Sequence, residues 1–225
     1  MVGEGGNAAD LKAPYNVPFP EIKIWQAKTN QWSALAPASQ FGPELSFGHA
    51  MAKAFPNDDI RLVKYAANGT ALYNDWAPTT GAQYVAFMDT VKGALADLDA
   101  GNVKYDIAGM LWLQGESDAK EYKGKDYKNN LLAFIEHIRA KFKTPEMPFI
   151  IARVRDFYGK GAQAGMVRDA QESVAQSTKY VAWFDTDDCG QLIKGGHYGS
   201  AGLIEIGNRF ASQYVAMVGK TKKTP

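Results

Sequence analysis

Short apolar runs alternate with amphipathic segments along the 225-residue chain. "IRLVKYA" from Ile60 is apolar, carries β-branched residues and closes on Asn68-Gly69, the pattern of a strand feeding a loop. From Ala82 to Leu98, the residues Phe87, Val91, Ala94, Leu95 and Leu98 fall on one stripe and predict a helix. "IAGMLWLQ" from Ile107 predicts a second buried strand, and Leu131, Leu132, Ile135, Ile138 and Phe142 mark a second helix. "PFIIARV" from Pro148 reads as a third strand, Met166 to Gln176 as a third helix, and "YVAWFDT" from Tyr180 as a fourth strand. A last helix starts near Ala201 with Leu203, Gly207, Phe210, Tyr214 and Met217 inward, and Ser200 stands where a cap belongs.

Continuous apolar strands separated by amphipathic helices imply a parallel sheet covered on both faces. The expected class is α/β: a three-layer α/β/α sandwich with a mostly parallel central sheet, its strands near 60–66, 107–114, 148–154 and 180–186. No internal repeat or linker interrupts residues 1–225, which read as one domain. In such sheets ligands bind at the carboxyl ends of the strands. Here those ends are "ANGT", "QGESD", "RDFYGKG" and "DTDDCGQ".

Bulk properties narrow the function classes. Hydrophobic residues make up 46% of the chain, which excludes a disordered protein. Net charge is +1, and the one basic cluster is the tail with Lys220, Lys222 and Lys223, read as a solvated end. Nucleic acid and anionic membrane are therefore not expected partners. Cys189 is the single cysteine, so no intrachain disulfide exists, and it reads as a small buried hydrophobe. No apolar run is long enough to span a bilayer, and "MVGEGGNAAD" lacks the charged-then-apolar pattern of a signal peptide. There is no HxxxH and no Cys cluster, so no metal is expected.

The polar edge "LWLQGESDA" from Leu111 carries the candidate chemistry. If the chain stays extended past the strand, Gln114 and Glu116 point to the same side, an amide donor beside a carboxylate. The alternative is a helix N-terminus capped by Glu116, Ser117 and Asp118. Ser117 stands in half of a nucleophile elbow, G-x-S after a strand, but Ala119 replaces the second glycine. Of the three histidines, His49 and His137 lie on expected helices and read as structural or solvated. His197 lies in the glycine-rich "KGGHYGSAGLIEIG" before the last helix, where a mobile, exposed imidazole can act as a base. Gly69 reads as a positive-φ turn, or as a backbone N–H offered to an oxyanion.

Taken together, "FGPELSFG", "KYAANGTAL" with Trp76 after it, "LWLQGESDA", "VRDAQ" and "HYGSAGLIEIGNRFA" resemble the SGNH (GDSL-type) hydrolases, in the carbohydrate-esterase group of acetylxylan esterases and sialate O-acetylesterase-like proteins. The resemblance implies a flavodoxin-like α/β fold and a serine esterase that removes acetyl groups from carbohydrate and needs no cofactor. It implies Gln114 and Gly69 as oxyanion donors and His197 as general base. Trp76 and Tyr73 are candidates for an aromatic wall against a sugar ring, or equally for plain core residues. The family's habit points to a secreted or periplasmic protein.

Two departures accompany the resemblance. The family's nucleophile is the serine of a "GQSN" motif, usually followed by residues like "MVGEG". This chain begins on "MVGEG", so the serine and its strand are expected upstream of Met1. Residues 1–225 alone are then expected to hydrolyse acetyl esters weakly. The slot of that strand would be filled by upstream residues, by a neighbouring chain or by "IKIWQ" from Ile22. A non-catalytic carbohydrate-binding remnant and an esterase using Ser117 are the rival readings. Second, Lys194 stands where the family often has Asp, three residues before the histidine. Lys194 is expected to face solvent, Glu116 becomes the candidate acid for His197, and Asp187 and Asp188 are weaker candidates.

Overall fold

The computed structural model describes residues 6–156, 162–193 and 196–221. The opening "MVGEG", most of "RDFYGKG", Lys194, and Lys222 and Lys223 of the basic tail lie outside the described residues. In chain order the strands are β1 (Gly6–Asn7), β2 (Phe19–Gln26), β3 (Gln31–Leu35), β4 (Gln40–Phe41), β5 (Ile60–Leu62), β6 (Met110–Trp112), β7 (Phe149–Ala152) and β8 (Val181–Phe184). The helices are α1 (Glu44–Ala54), α2 (Ala82–Ala100), α3 (Glu116–Lys120), α4 (Gly124–Phe142), α5 (Ala162–Ser177) and α6 (Ser200–Thr221). None is long and apolar enough to cross a membrane among the described residues. The chain divides into two compact units, each gathered from separate stretches of sequence.

The first unit combines Met1–Asn68, Ala86–Asp106 and Cys189–Ala211. Its three-stranded sheet has the order β3-β2-β5. β2 pairs antiparallel with β3 and parallel with β5, with Ile22 opposite Ile60 and Ile24 opposite Leu62. No continuous apolar run marks the β2–β3 hairpin. This hairpin instead alternates: Ile22 and Ile24 are buried while Glu21 and Lys23 are exposed, the period of a strand wet on one face. "IKIWQ", one expected filler of the slot, is thus the middle strand of its own sheet, parallel to β5.

α1 and α6 meet in this unit at very short range. The Ser46 hydroxyl donates to the Ile204 carbonyl (2.7 Å). A Cβ added at Gly207 would overlap Ser46 Oγ and the Pro43 carbonyl. Gly207 is expected on the inward stripe of the last helix; its lack of a side chain is what lets the two helices close. Ser200 corrects an expectation. It is the first residue of α6, and its hydroxyl serves the N-terminal segment instead of a cap, donating to Asp10 Oδ2 (2.9 Å) and accepting from Asn7 N (3.0 Å).

The second unit combines Gly69–Val85, Ile107–Asp188 and Ser212–Pro225. Its sheet, β6-β7-β8, is wholly parallel, with Trp112 opposite Ile151 and Ile151 opposite Trp183. Phe149, Ile150, Ile151 and Ala152 of the middle strand are fully buried, as a continuous apolar run predicts for a strand covered on both faces. The strands are shorter than expected and lie inside the expected ranges: β6 covers Met110–Trp112, β7 Phe149–Ala152 and β8 Val181–Phe184. Buried Arg139 of α4 steadies the strand entrances, donating to the carbonyls of Met147, Lys179 and Tyr180 at 2.9–3.1 Å. Both units are mixed α/β with parallel strand pairing.

Gly207→Ala should destabilise the protein by about 1–3 kcal/mol or more, since the added methyl must push α1 away from α6. Urea unfolding monitored by circular dichroism measures the loss; an unchanged midpoint would contradict the close packing.

Candidate active site

In the second unit, β6 stops at Trp112 and the chain turns within three residues. Gly115 has φ +146°, in the region that favours glycine. A Cβ there would also lie 2.8 Å from Val167 Cγ1 and 3.0 Å from Val154 Cγ1, so both backbone and space require glycine. The extended continuation assumed for Gln114 and Glu116 therefore does not occur. Gln114 remains before the turn, whereas Glu116 opens α3 as its first residue. Ser117 is the second residue of that helix, and the unusual backbone of the turn falls on Gly115 instead of on a serine at an elbow.

Gln114 is buried and every polar group of its side chain is engaged. Its amide nitrogen donates to Asp118 Oδ2 (2.7 Å) and to the Thr70 carbonyl (3.1 Å). The Tyr127 hydroxyl shares its proton between the side-chain oxygen (3.1 Å) and the backbone carbonyl of Gln114 (2.8 Å). Gln171 donates to the same carbonyl (2.8 Å). Reversing the amide would set its oxygen against a carboxylate and a carbonyl, so the surroundings fix the orientation. Burial, reinforced by the nearby Asp118 charge, pushes the Tyr127 phenol far above its ordinary range.

Asp118 joins this network to the loop that carries Gly69. It is fully buried. Besides Gln114, its carboxylate accepts from Leu72 N (2.7 Å) and Tyr73 N (3.2 Å). Burial pushes its carboxyl above the usual aspartate range, although the Gln114 amide and the two backbone N–H groups pull the other way. The loop is further tied by Ala71 N to Asp75 Oδ2 (2.8 Å). Gly69 itself is exposed, with φ +66°, and a Cβ added there would meet nothing within 4 Å. Its N–H meets no acceptor among the described residues.

The expected aromatic wall separates into two different residues. Trp76 is 5% exposed, its ring perpendicular to Trp112 at 5.3 Å and its indole N–H on Thr70 Oγ1 (2.9 Å). It supports the loop from within the core, the second of its two expected readings. Tyr73 is 36% exposed; its hydroxyl donates to Glu121 Oε2 (2.9 Å) and Lys123 Nζ lies 5.1 Å from its ring centroid.

The acids also separate. Glu116 is buried, and no described residue donates a hydrogen bond to its carboxylate. Asp187 is committed elsewhere: Arg168 grips both of its oxygens (2.8 and 2.7 Å) and Asp156 N adds a third bond (3.1 Å). Burial would raise the Asp187 carboxyl; the Arg168 fork, the Asp156 N–H and the nearby Arg153 charge together outweigh it and hold the group below the usual carboxylate range.

His197 belongs to the first unit. It is half-buried in a closed turn, not on an exposed arm as expected. Leu192 and Tyr198 bridge across the turn, Ile193 N donates to the His197 carbonyl (2.8 Å), and Gly196 takes φ +81°. Cys189 is fully buried in the same unit. Among histidines expected to be structural, His137 shares a 2.8 Å hydrogen bond with the Tyr84 hydroxyl, and His49 stacks on Phe19.

Sequence reasoning gives Asp118 only a capping role. The signal for more is its spacing: four residues after Gln114, on the far side of a glycine turn, it can meet the Gln114 amide once α3 forms.

Residues 1–216 match the family model for carbohydrate esterases described as sialic acid-specific acetylesterases (SASA). No curated protein matches the sequence. Three solved structures share the fold. An Arabidopsis thaliana protein, AT4G34215, is 21% identical at a TM-score of 0.79, covering 96% of this chain and 93% of that one. NanS is 14% identical at 0.72, covering 97% and 93%. XAC1771 from Xanthomonas citri, a carbohydrate acetylesterase, is 16% identical at 0.67, covering 96% of this chain and 56% of that one.

Asp118→Ala should cost about 2–4 kcal/mol, because it leaves buried N–H groups of Leu72 and Gln114 without an acceptor. The pH dependence of the urea midpoint separates the two acids. Asp118 has a raised folded pKa, so the folded state holds its proton more tightly and stability falls as pH rises from the unfolded value through the folded one. Asp118→Asn should remove that decline. Asp187 has a depressed folded pKa, so its contribution is complete above the unfolded value and is lost as pH falls through the folded one. Arg168→Ala should flatten this acid limb; an unaltered limb would show that the ion pair contributes nothing.

Proposed function

This chain belongs to the carbohydrate esterase family of sialic acid-specific acetylesterases, and from that membership we propose that it removes O-acetyl groups from sugars or polysaccharides such as acetylated xylan. The observation that carries the reading is the Asp118 network, which holds the Gln114 amide and the Gly69–Tyr73 loop in one fixed arrangement.

The chemistry follows from the charges that appear. Attack of a serine oxygen on the acetyl carbonyl breaks its π bond and places negative charge on the carbonyl oxygen. The reading assigns that attack to the serine of the family's GQSN motif and not to Ser117, whose backbone is helical. His197 takes the serine proton as the new C–O bond forms. The oxyanion receives the Gly69 N–H, and the Gln114 amide turns one of its hydrogens from Thr70 O to the oxyanion. Collapse expels the sugar alkoxide, which takes the proton from His197 and leaves an acetyl-serine. Water, deprotonated by His197, then attacks the acetyl carbon, the serine oxygen leaves and takes the proton back from His197, and acetate is released. Glu116 is the carboxylate assigned to orient the imidazole, because it is buried and no described residue donates to it. Tyr73 offers the sugar an exposed aromatic side chain.

In a polypeptide carrying the GQSN serine, acetate release from acetylated xylo-oligosaccharides should be abolished by His197→Ala. Gln114→Ala should lower kcat about 10²–10³-fold with little change in KM, and Ser117→Ala should leave both unchanged. Robust turnover lost with Ser117→Ala would move the nucleophile to Ser117, and no acetate from any acetylated sugar would sink the reading.

A further inference from the structure

Helix α3 ends in an unusual way. Lys123 N donates to the Asp118 carbonyl (2.8 Å) and Tyr122 N to the Ala119 carbonyl (3.3 Å). This is the paired hydrogen-bond pattern of a left-handed helix stop, whose turning residue is usually glycine. Here it is Tyr122, at φ +60°. An L side chain is disfavoured in that backbone region. Burial gives nothing back, for Tyr122 is 63% exposed, the highest value among the exposed large hydrophobics described.

The neighbours of Tyr122 are organised around a second exposed ring. Glu121, immediately before it, accepts the Tyr73 hydroxyl, and Lys123, immediately after it, lies over the Tyr73 ring. Tyr73 N is in turn held by Asp118. Gly124 continues the strip: a Cβ there would lie 3.0 Å from the Cβ of Met166, a residue 40% exposed. Tyr73, Tyr122 and Met166 thus lie around one short segment that also carries a carboxylate and an ammonium.

We propose that Tyr122, together with Tyr73, is a platform on which a pyranose ring of a carbohydrate chain stacks, beside the loop that carries Gly69. This rests on the carbohydrate reading above and extends it from the acetylated sugar to a further ring of the same chain. A pyranose has an apolar C–H face and a hydroxyl edge. Exposed aromatic rings serve the face, and Glu121 and Lys123 supply an acceptor and a donor for the edge. The helix stop fixes the Tyr122 backbone, and Asp118, Glu121 and Lys123 hold Tyr73. Rigidity lowers the entropic cost of binding a flexible saccharide.

Tyr122→Gly tests this, since glycine suits the backbone and removes only the ring. Residues 1–225 are titrated calorimetrically with hexasaccharides derived from xylan, pectin and sialosides, and melting is followed in parallel. The wild type should bind at least one of them. Tyr122→Gly should melt at the same temperature or higher yet bind about fivefold or more weakly, and Tyr122→Phe should retain binding. A lower melting temperature with unchanged affinity would make Tyr122 structural and overturn the proposal. So would concentration-dependent self-association that Tyr122→Gly abolishes while sugar affinity stays constant. If the wild type binds none of the saccharides but acetate is released from an acetylated sugar, the platform fails and the esterase reading stands. Retained binding without acetate release on the GQSN-bearing polypeptide would overturn the esterase reading alone.

Discussion

One buried carboxylate organises the second unit. Asp118 accepts from a side-chain amide and from two consecutive backbone N–H groups of a distant loop. A carboxylate withdrawn from water is costly unless its lone pairs are filled. Here the donors that fill them are the groups whose positions the candidate chemistry needs. Removing either side would leave the other buried and unpaired, so α3 and the Gly69–Tyr73 loop hold their geometry jointly. Gln114 extends the lock to Thr70, and Tyr127 and Gln171 extend it into α4 and α5. The polar end of the strand is therefore a connected set in which each member satisfies the others.

Much of the second unit is legible in the sequence because its signals are local. The apolar run "PFIIARV" contains the middle strand β7, and the stripe through Leu131, Ile135 and Ile138 is the buried face of α4. The motif residues Gln114 and Gly69 stand out for the same reason: each lies at the edge where an apolar run ends. What is not legible depends on partners far away in sequence. Whether Asp118 caps its own helix or reaches Leu72 is decided by a loop 46 residues earlier. Trp76 reads equally as an aromatic wall or a core residue, and its burial against Trp112 and Phe134 is decided by residues far along the chain.

The first unit is harder to read. Its hairpin is amphipathic and short, so it offers neither a continuous apolar run nor a helical stripe. Ser200 misleads for a related reason. A serine at a helix start has the composition of a cap, but its hydroxyl is drawn instead to Asn7 and Asp10, 193 and 190 residues away. Local propensity describes what a residue can do; the nearest unsatisfied group decides what it does.

The engagement of Gln114 has a consequence for selectivity. Its amide has two hydrogens, and in the resting protein a carboxylate and a peptide carbonyl hold both. An arriving acceptor must win one of them by competition. An ester carbonyl is a weaker base than the amide carbonyl of Thr70 and loses that contest. An alkoxide-like oxygen carrying a developing charge is a stronger one and prevails. Under the esterase reading, the side-chain donor is withheld from intact ester and yielded once the tetrahedral adduct begins to form. Its interaction energy is then expressed in rate and not in ground-state affinity, a form of catalytic thrift achieved by nothing more than a prior hydrogen bond to Thr70.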